Sequence, residues 1–278
     1  MPTLTVPAPS KLNLFLHVTG RRDDGLHLLE TLFVALDFGD TIAVTLRDDG
    51  AIRRIGGWQD VPEEEDLAVR AAEALKSATG CRAGAGITVT KRIPVGGGLG
   101  GGSSDAASVL LALNRMWNLD LSRARLMEIG MTLGADVPFF IFGEPAFARG
   151  IGEILRPVTV PRTWIAVIAP ERGVSTRGIF AAPELTRDTP SAKMDVFSEG
   201  YGRNDLETVT LSRHPEIGAA LAELRKHSRH ARMTGSGSAV FASFASGELA
   251  RGAVEARPPG MHGFVARPLV RHPLAAFA

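Results

Sequence analysis

A glycine-rich run leads without a break into a helical pattern, and this junction constrains the chain more than any other feature. Residues 94–105 read Pro-Val-Gly-Gly-Gly-Leu-Gly-Gly-Gly-Ser-Ser-Asp, and apolar side chains recur at helical spacing through Trp117. A helix amino terminus presents free backbone N–H groups at the positive end of the helix dipole, which suits phosphate. Glycine lets a polyphosphate approach the backbone, because no side chain stands in the way. The junction therefore predicts a nucleotide or phosphate site.

Two serines complete this junction. Ser103 and Ser104 stand where a helix cap belongs, and their hydroxyls could also donate to phosphate or to a metal-bound water. The glycines also match the dinucleotide fingerprint, but that fingerprint requires a strand directly upstream, and the candidate strand 86–93 ends at Pro94. No Gly-Lys-Ser/Thr follows, so the run is not a Walker A loop. A flexible linker remains the alternative, although linkers rarely enter an amphipathic helix directly.

Composition narrows the class of protein. The chain has 278 residues, 45% of them hydrophobic and 22% charged, which is typical of a globular protein of about two domains. A net charge of +1 gives no support for a nucleic-acid partner, and the basic cluster 225–232 is better explained as a solvated helix end. The single cysteine, Cys81, excludes a disulfide framework. No secretory signal or apolar run of membrane-spanning length is recognisable. We therefore expect a cytoplasmic protein.

The pattern along the chain mixes strands and helices, as in an α+β fold. Alternating or buried apolar runs predict strands at 11–18, 40–46 and 164–169, and Arg21–Gly25 predicts a turn between the first two strands. Helical spacing predicts helices over 66–76 and from Ser122 to Leu133, with Ser122 as the N-cap. A domain boundary is expected near 157–162.

Three motifs occur in the order typical of the galactokinase–homoserine kinase–mevalonate kinase superfamily, and the chain resembles that superfamily on them. They are Pro9-Ser-Lys-Leu-Asn-Leu14, the glycine run Pro94–Ser104, and Met233-Thr-Gly-Ser-Gly-Ser-Ala239. The resemblance implies a two-domain α+β small-molecule kinase. Its N-terminal domain, 1–158, would resemble the second domain of ribosomal protein S5 and carry the phosphate loop, and its C-terminal domain, 159–278, would be ferredoxin-like. ATP and substrate would meet in the cleft between them.

Within the superfamily, the chain is most similar to the kinases that phosphorylate a cytidine-diphosphate sugar alcohol in the non-mevalonate isoprenoid pathway. The specific marks are Lys11-Leu-Asn-Leu-Phe-Leu-His, Arg22-Asp-Asp-Gly-Leu-His27, Val95–Asp105, Gly134-Ala-Asp-Val-Pro-Phe139 and Asn204-Asp-Leu206. This similarity implies ATP and Mg²⁺ as cofactors, and a monomer or homodimer. The alternatives are a homoserine or mevalonate kinase, a dinucleotide-dependent oxidoreductase and a non-catalytic phosphosugar-binding module.

The resemblance assigns two catalytic residues. Asp136 matches the family's catalytic aspartate and would accept the proton of the acceptor hydroxyl, whereas Lys11 matches the catalytic lysine and would stabilise charge at the phosphoryl group. On local sequence alone, Asp136 could be a helix N-cap before Pro138, and Lys11 a lysine at the start of a strand. The ATP-binding residues would be those of the glycine run: Pro94, Val95, Gly96, Gly97, Gly98, Leu99, Gly100, Gly101, Gly102, Ser103 and Ser104.

The resemblance also assigns residues to substrate binding, namely Asn13, Leu26, His27, Phe180 and Gly235. His27 and Phe180 match the family's cytosine-recognising histidine and stacking aromatic, although a surface histidine and a core phenylalanine are the alternatives. Two positions depart from the family pattern: Leu26 stands where tyrosine is usual, and Asp66 where asparagine is common. No carboxylate pair indicates a metal ligand.

Overall fold

Two β-sheets, each covered by helices, form the protein, and the computed structural model describes residues 2–171, 173–192 and 200–278. The first sheet has six strands: β1 (Thr3–Arg21), β2 (His27–Arg47), β3 (Ile52–Gly57), β4 (Gly84–Thr90), β5 (Ala146–Arg149) and β6 (Ile154–Pro157). They lie in the order β3-β4-β2-β5-β6, with β1 paired to β2. The pair of β3 and β4 is parallel, and the other strand pairs of this sheet are antiparallel.

The hairpin of β1 and β2 positions the first functional motif. The predicted strands at 11–18 and 40–46 lie within these two longer strands, and the predicted turn lies between them. The register between the strands shifts between Pro9 and Lys11 and again between Asn13 and Leu16. Irregularities of this kind bend a strand and redirect its side chains. Lys11 and Asn13 therefore lie on a short segment between two irregularities.

Four helices cover one face of this sheet: α1 (Leu67–Thr79), α2 (Gly101–Met116), α3 (Arg123–Met131) and α4 (Val137–Phe142). Asp66 caps α1 by accepting a hydrogen bond from the backbone N–H of Ala68, and Ser122 caps α3 as predicted. Every residue of α2 from Ser104 to Asn114 is buried. The expected amphipathic character of α2 is therefore wrong, because a helix enclosed on all sides needs no polar face.

The second sheet is antiparallel. The elements of this half are β7 (Trp164–Pro170), α5 (Thr176–Phe180), α6 (Glu207–Arg213), α7 (Pro215–His227), β8 (Arg232–Met233), β9 (Val240–Phe244), α8 (Gly247–Glu255) and β10 (Met261–Ala266). Its strands lie in the order β10-β7-β9-β8. Along the chain the strands and main helices alternate as βαββαβ, and this strand order with this connectivity is the ferredoxin-like arrangement predicted above. Two 3-10 helices, Glu63–Glu65 and Ala275–Phe277, complete the described elements.

The two halves share parts of their cores. The first sheet ends at Pro157 and the second begins at Trp164, yet Leu16 and Val18 of β1 pack in the core of the second half. In the other direction, Leu274 from the end of the chain packs in the core of the first half. The division at 158 therefore stays a prediction. Within the described residues, no helix combines the length and apolar character needed to cross a membrane.

Candidate active site

A cleft of about 570 Å³ lies where the two halves meet. Lys11 and Asn13 of β1 line it, together with the glycine loop 94–102 and Asp136. The second half contributes Thr176, Phe180, Gly235 and Ser236. Residues predicted from widely separated motifs are thus brought together around one cavity, which is the usual setting of a small-molecule site.

The glycine loop enters α2 through a left-handed glycine. Gly100 occupies the N-cap position with φ of 71°, and no side chain caps the helix. The expectation that Ser103 or Ser104 caps α2 is therefore wrong, since both lie within its first turn. Ser103 lines the cleft. Ser104 does not, because its side chain is fully buried and its Oγ has no hydrogen-bond partner among the described residues.

The loop is held on three sides by backbone hydrogen bonds. The N–H of Lys11 donates to Leu99 O at 2.9 Å, that of Ala239 to Gly97 O at 3.0 Å, and that of Val174 to Gly96 O at 3.2 Å. A Cβ at Gly98 would lie 2.6 Å from Thr234 O, so no side chain fits between the loop and the second glycine motif. The loop is therefore held in position by contacts within the protein itself.

Lys11 is almost completely buried, with 3% of its surface exposed. Its Nζ donates to Asn13 Oδ1 at 2.6 Å and lies 3.4 Å from Asp136 Oδ2. A Cβ at Gly100 would lie 2.9 Å from Lys11 Cγ, so glycine is needed for the loop to pass so close to the lysine stem. Lys11 is thus held between the glycine loop and a carboxylate, rather than exposed at the start of a strand.

Asp136 occupies the N-cap position of α4, but its side chain makes no capping hydrogen bond. About a third of that side chain, 32%, is exposed, and it lines the cleft. The N-cap alternative raised by the sequence therefore has no support from the contacts of Asp136. The carboxylate is available to a ligand.

Asn13 orients Lys11 through a chain of hydrogen bonds. Its Oδ1 accepts from Lys11, and its Nδ2 donates to Thr31 Oγ1 at 2.8 Å. Its backbone N–H donates to Thr234 Oγ1 at 2.8 Å, which joins β1 to the second glycine motif. Gly235 follows directly, and a Cβ there would lie 3.4 Å from Asn13 Oδ1.

The three residues predicted to bind cytosine are neighbours, but only one of them lines the cleft. Phe180 lines it, whereas His27 and Leu26 are outside its lining residues. The rings of His27 and Phe180 have centroids 5.0 Å apart. Leu26 is 47% exposed. Burial lowers the pKa of His27, and the nearby charges of Arg187 and Arg21 lower it further, so this histidine is neutral near pH 7.

A buried ion-pair cluster beside the loop was missed by sequence reasoning. The Lys91 ammonium binds both the Asp40 and Asp105 carboxylates, and Asp40 Oδ1 also accepts from the backbone N–H of Ile93 at 2.8 Å. Burial raises the pKa of Asp105 to about 7, although Lys91 opposes that shift. A Cβ at Gly101 would lie 3.1 Å from Lys91 Nζ. This cluster therefore packs directly against the first residues of α2. Only the position of Asp105 directly after the serines could have drawn attention to it.

A metal ion would have to rely on few protein ligands. Among the described residues, no group of three or more histidine, cysteine or acidic side chains is arranged to hold one. Mg²⁺ in kinases is bound largely by nucleotide phosphates and water, with one or two protein oxygens. The Ser103 hydroxyl, which lines the cleft at the loop, fits such a limited contribution.

Two family models match the chain, and both describe the same class of enzyme. The GHMP kinases N terminal domain matches residues 66–144, and the GHMP kinases C terminal domain matches residues 183–258. Together with the two-sheet fold and its cleft, these matches define a GHMP kinase, an enzyme that uses ATP to phosphorylate a small molecule. The dinucleotide-dependent oxidoreductase alternative is therefore wrong, because the glycine loop belongs to a different fold.

Curated relatives narrow the class to one family. A 4-diphosphocytidyl-2-C-methyl-D-erythritol kinase of Thiobacillus denitrificans is 56% identical over 98% of this chain and 97% of the relative. Another of that name, from Cupriavidus necator, is 53% identical over 98% of this chain and 95% of the relative. The chain belongs to the family of the 4-diphosphocytidyl-2-C-methyl-D-erythritol kinases.

Solved structures agree with this assignment. A crystal structure of 4-(cytidine 5'-diphospho)-2C-methyl-D-erythritol kinase superposes with a TM-score of 0.80 at 34% identity, covering 95% of this chain and 99% of that one. A homoserine kinase from Cytophaga hutchinsonii superposes with a TM-score of 0.74 at 17% identity, covering 98% of this chain and 96% of that one. The second similarity shows only that the fold is shared.

Proposed function

We propose that the chain transfers the γ-phosphoryl group of ATP to the 2-hydroxyl of 4-diphosphocytidyl-2-C-methyl-D-erythritol. The family supports the substrate, since the curated relatives carry that name. The observation that carries the chemistry is the Lys11–Asp136 pair at 3.4 Å in the cleft beside the glycine loop. Phosphoryl transfer depends mainly on positioning and charge stabilisation, and this arrangement offers both.

Asp136 is the proposed base. As the acceptor oxygen attacks the γ-phosphorus, the bond to the β-phosphate oxygen breaks and ADP leaves, while the hydroxyl proton passes to the Asp136 carboxylate. The partial exposure of that side chain within the cleft supports this role, because the carboxylate can reach a bound hydroxyl. No capping hydrogen bond competes for its oxygens, and the contact of Oδ2 with Lys11 keeps the carboxylate beside the proposed charge stabiliser.

Lys11 is the proposed charge stabiliser. Its ammonium is buried and bound by Asn13, so its position is fixed before the reaction. A fixed cation in a cleft sheltered from water stabilises developing negative charge without reorganisation. The backbone N–H groups at the start of α2 would bind the ATP phosphates. Mg²⁺, which neutralises phosphate charge when bound, could take a contact from Ser103 on the protein side.

Phe180 is the proposed platform for cytosine. It is half-buried in the cleft wall and packs against His27. Its ring offers a π-face to a base, while Leu26 would supply apolar contact where the family has tyrosine. A cytoplasmic location and a monomeric or homodimeric state remain predictions from the sequence and the resemblance.

Transfer of label from [γ-³²P]ATP to candidate alcohols tests the proposed function. We expect label on 4-diphosphocytidyl-2-C-methyl-D-erythritol, and none above background on homoserine or mevalonate at equal concentration. The Asp136→Asn variant serves as the matched blank, since the change keeps the size of the side chain and removes the base. Turnover of homoserine or mevalonate at a comparable rate would contradict the proposed substrate. The lack of any acceptor would favour the binding-module alternative.

A further inference from the structure

Arg187 makes an unusual set of contacts in the loop that follows α5. Its Nε donates to His27 Nε2 at 3.0 Å. Its Nη1 donates to Leu185 O at 2.9 Å, and its Nη2 donates to the carbonyls of Phe180 and Ala182 at 3.2 and 2.6 Å. One guanidinium therefore joins the histidine at the start of β2 to the end of α5.

The contact with His27 fixes which ring nitrogen carries the proton. Arginine has only donors and stays protonated in proteins. The Nε2 atom that faces it must therefore be the unprotonated nitrogen, which places the proton of the neutral ring on Nδ1. Protonation of Nε2 would set two donors against each other. The lowered pKa of His27, to which Arg187 contributes, agrees with a ring that stays neutral.

We infer that Arg187 is a positioning residue that holds His27 as the Nδ1–H tautomer, so that this ring, which packs on the cleft-lining Phe180, presents a fixed donor to an acceptor atom on the cytidine moiety of the substrate. The inference rests on the proposed function for its ligand. Among the described residues, no group bonds to Nδ1 of His27, whereas the opposite edge of the ring is held by Arg187. Free neutral histidine exchanges between two tautomers, and only the Nδ1–H form could donate to the substrate from Nδ1. Holding the ring in that form in advance avoids the loss of affinity that selecting it on binding would cause.

Arg187 also determines where the His27 ring lies, in addition to which of its nitrogens carries the proton. Because Arg187 also binds the Phe180 carbonyl, the histidine and the proposed stacking ring are held as one unit. Arg213 provides a natural control for this anchoring. It donates to Gly178 O of the same helix at 3.1 Å and binds Glu184 at 2.7 Å, but it does not contact His27.

Nitrogen NMR of ¹⁵N-histidine-labelled protein tests the tautomer directly. In the unliganded wild type, we expect His27 to show a protonated Nδ1 and an unprotonated Nε2. In Arg187→Met the Nε2–H form should become prominent, whereas Arg187→Lys, which still offers a donor, should retain much of the Nδ1–H form. Arg213→Met should leave the tautomer unchanged. A wild-type ring protonated on Nε2 would overturn the inference whether or not any variant folds.

Steady-state kinetics tests the consequence for the substrate. Arg187→Met should raise the KM for the cytidine substrate by roughly three- to tenfold, within the range for loss of one hydrogen bond, because only part of the ring then carries the proton on Nδ1. The kcat and the KM for ATP should stay within about twofold of wild type. Arg187→Lys should recover part of the loss. An equal rise in the KM of Arg213→Met for the cytidine substrate would show that Arg187 only stabilises the end of α5 and has no specific role through His27. If the wild type fails to phosphorylate the cytidine substrate, the proposed function is wrong, and the NMR result still decides the tautomer.

Discussion

Lys11 Nζ lies 3.4 Å from Asp136 Oδ2, although Lys11 precedes the glycine loop in the sequence and Asp136 follows it. The two side chains differ in exposure, because Lys11 is nearly inaccessible while Asp136 faces the cleft. Asn13 holds the ammonium from the other side. The pair therefore combines a fixed cation with an accessible carboxylate, which are the two groups that phosphoryl transfer to an alcohol needs from the protein.

Replacing Lys11 by methionine removes the charge and keeps the length of the stem. We expect Lys11→Met to lower kcat by about 10²–10³-fold, the usual effect of losing one electrostatic stabiliser, with smaller changes in either KM. Fixed-time product assays at saturating concentrations of both substrates measure the change in kcat. Lys226→Met, at an exposed lysine of α7, is the matched control and should behave as wild type. A Lys11→Met enzyme within about threefold of wild-type kcat would remove Lys11 from the mechanism.

A comparison of alanine substitutions at Gly100 and Gly80 distinguishes the cost of a left-handed backbone from the cost of a steric clash. Both have left-handed φ, 71° and 67°, but a Cβ at Gly100 would press on Lys11 and Phe140, whereas a Cβ at Gly80 would meet nothing within 4 Å. Each change to alanine should destabilise the fold by about 1–2 kcal/mol through φ alone. Only Gly100→Ala should also weaken ATP binding and lower kcat, because it displaces the loop from Lys11. Calorimetric ATP titration and urea unfolding distinguish the two effects. Unchanged ATP affinity in a folded Gly100→Ala protein would show that the loop is purely structural.

Phe180→Ala tests how the base is bound. Loss of stacking and of buried ring surface should raise the KM for the cytidine substrate by about tenfold or more, and leave the KM for ATP nearly unchanged. Phe264→Ala is the control, since that half-buried ring stacks on Phe38 and is outside the lining of the cleft. Leu26→Tyr should be neutral or improve substrate affinity modestly. A Phe180→Ala enzyme with an unchanged KM for the cytidine substrate would place this ring in the core alone.

His272 gives the protein a pH-dependent stability. Burial, together with the nearby charge of Arg123, lowers its pKa from the ordinary 6.5 to about 4. A histidine with a depressed pKa stabilises the fold fully above pH 6.5, and this stability is lost as the pH falls towards 4, because the unfolded chain binds the proton first.

A non-titrating variant isolates this contribution. Leu274 N–H donates to His272 Nδ1, and an asparagine side chain can accept the same hydrogen bond. Between about pH 7.5 and about pH 4.5, wild type should lose about 2–3 kcal/mol of unfolding free energy more than His272→Asn does. Urea unfolding at both pH values measures the difference. Parallel losses in the two proteins would show that His272 is protonated as easily in the fold as outside it.

The sequence predicted the main elements because the signals for helices and strands are local, whereas the residues of the cleft were assigned through the resemblance to the kinase superfamily. The strands at 11–18 and 164–169, the helix at 66–76 and the cap at Ser122 follow from periodicity and end signals, and all lie within or at the start of observed elements. The cap at the start of α2 was predicted wrongly, because a left-handed glycine can begin a helix without any side-chain acceptor.

The features that the sequence did not predict depend on contacts between residues that are far apart in the chain. Asp40 and Lys91 meet Asp105 only through strand pairing, and nothing in their local sequence indicates a buried ion-pair cluster. The contact of Arg187 with His27 similarly joins a loop of the second half to the first hairpin. For Asp136, local sequence favoured the N-cap interpretation and the family resemblance favoured the base. The missing cap bond and the contact with Lys11 are the structural observations that support the second.

The most direct test of the central claim is the single-turnover rate of Asp136→Asn with ATP and 4-diphosphocytidyl-2-C-methyl-D-erythritol prebound. Binding of each substrate, measured by titration calorimetry, should stay within about threefold of wild type, because the amide keeps the shape of the side chain. The phosphoryl-transfer rate should fall by about 10²–10⁴-fold, the usual range for loss of a general base. A transfer rate within about threefold of wild type, with both substrates bound, would contradict the assignment of Asp136 as the base.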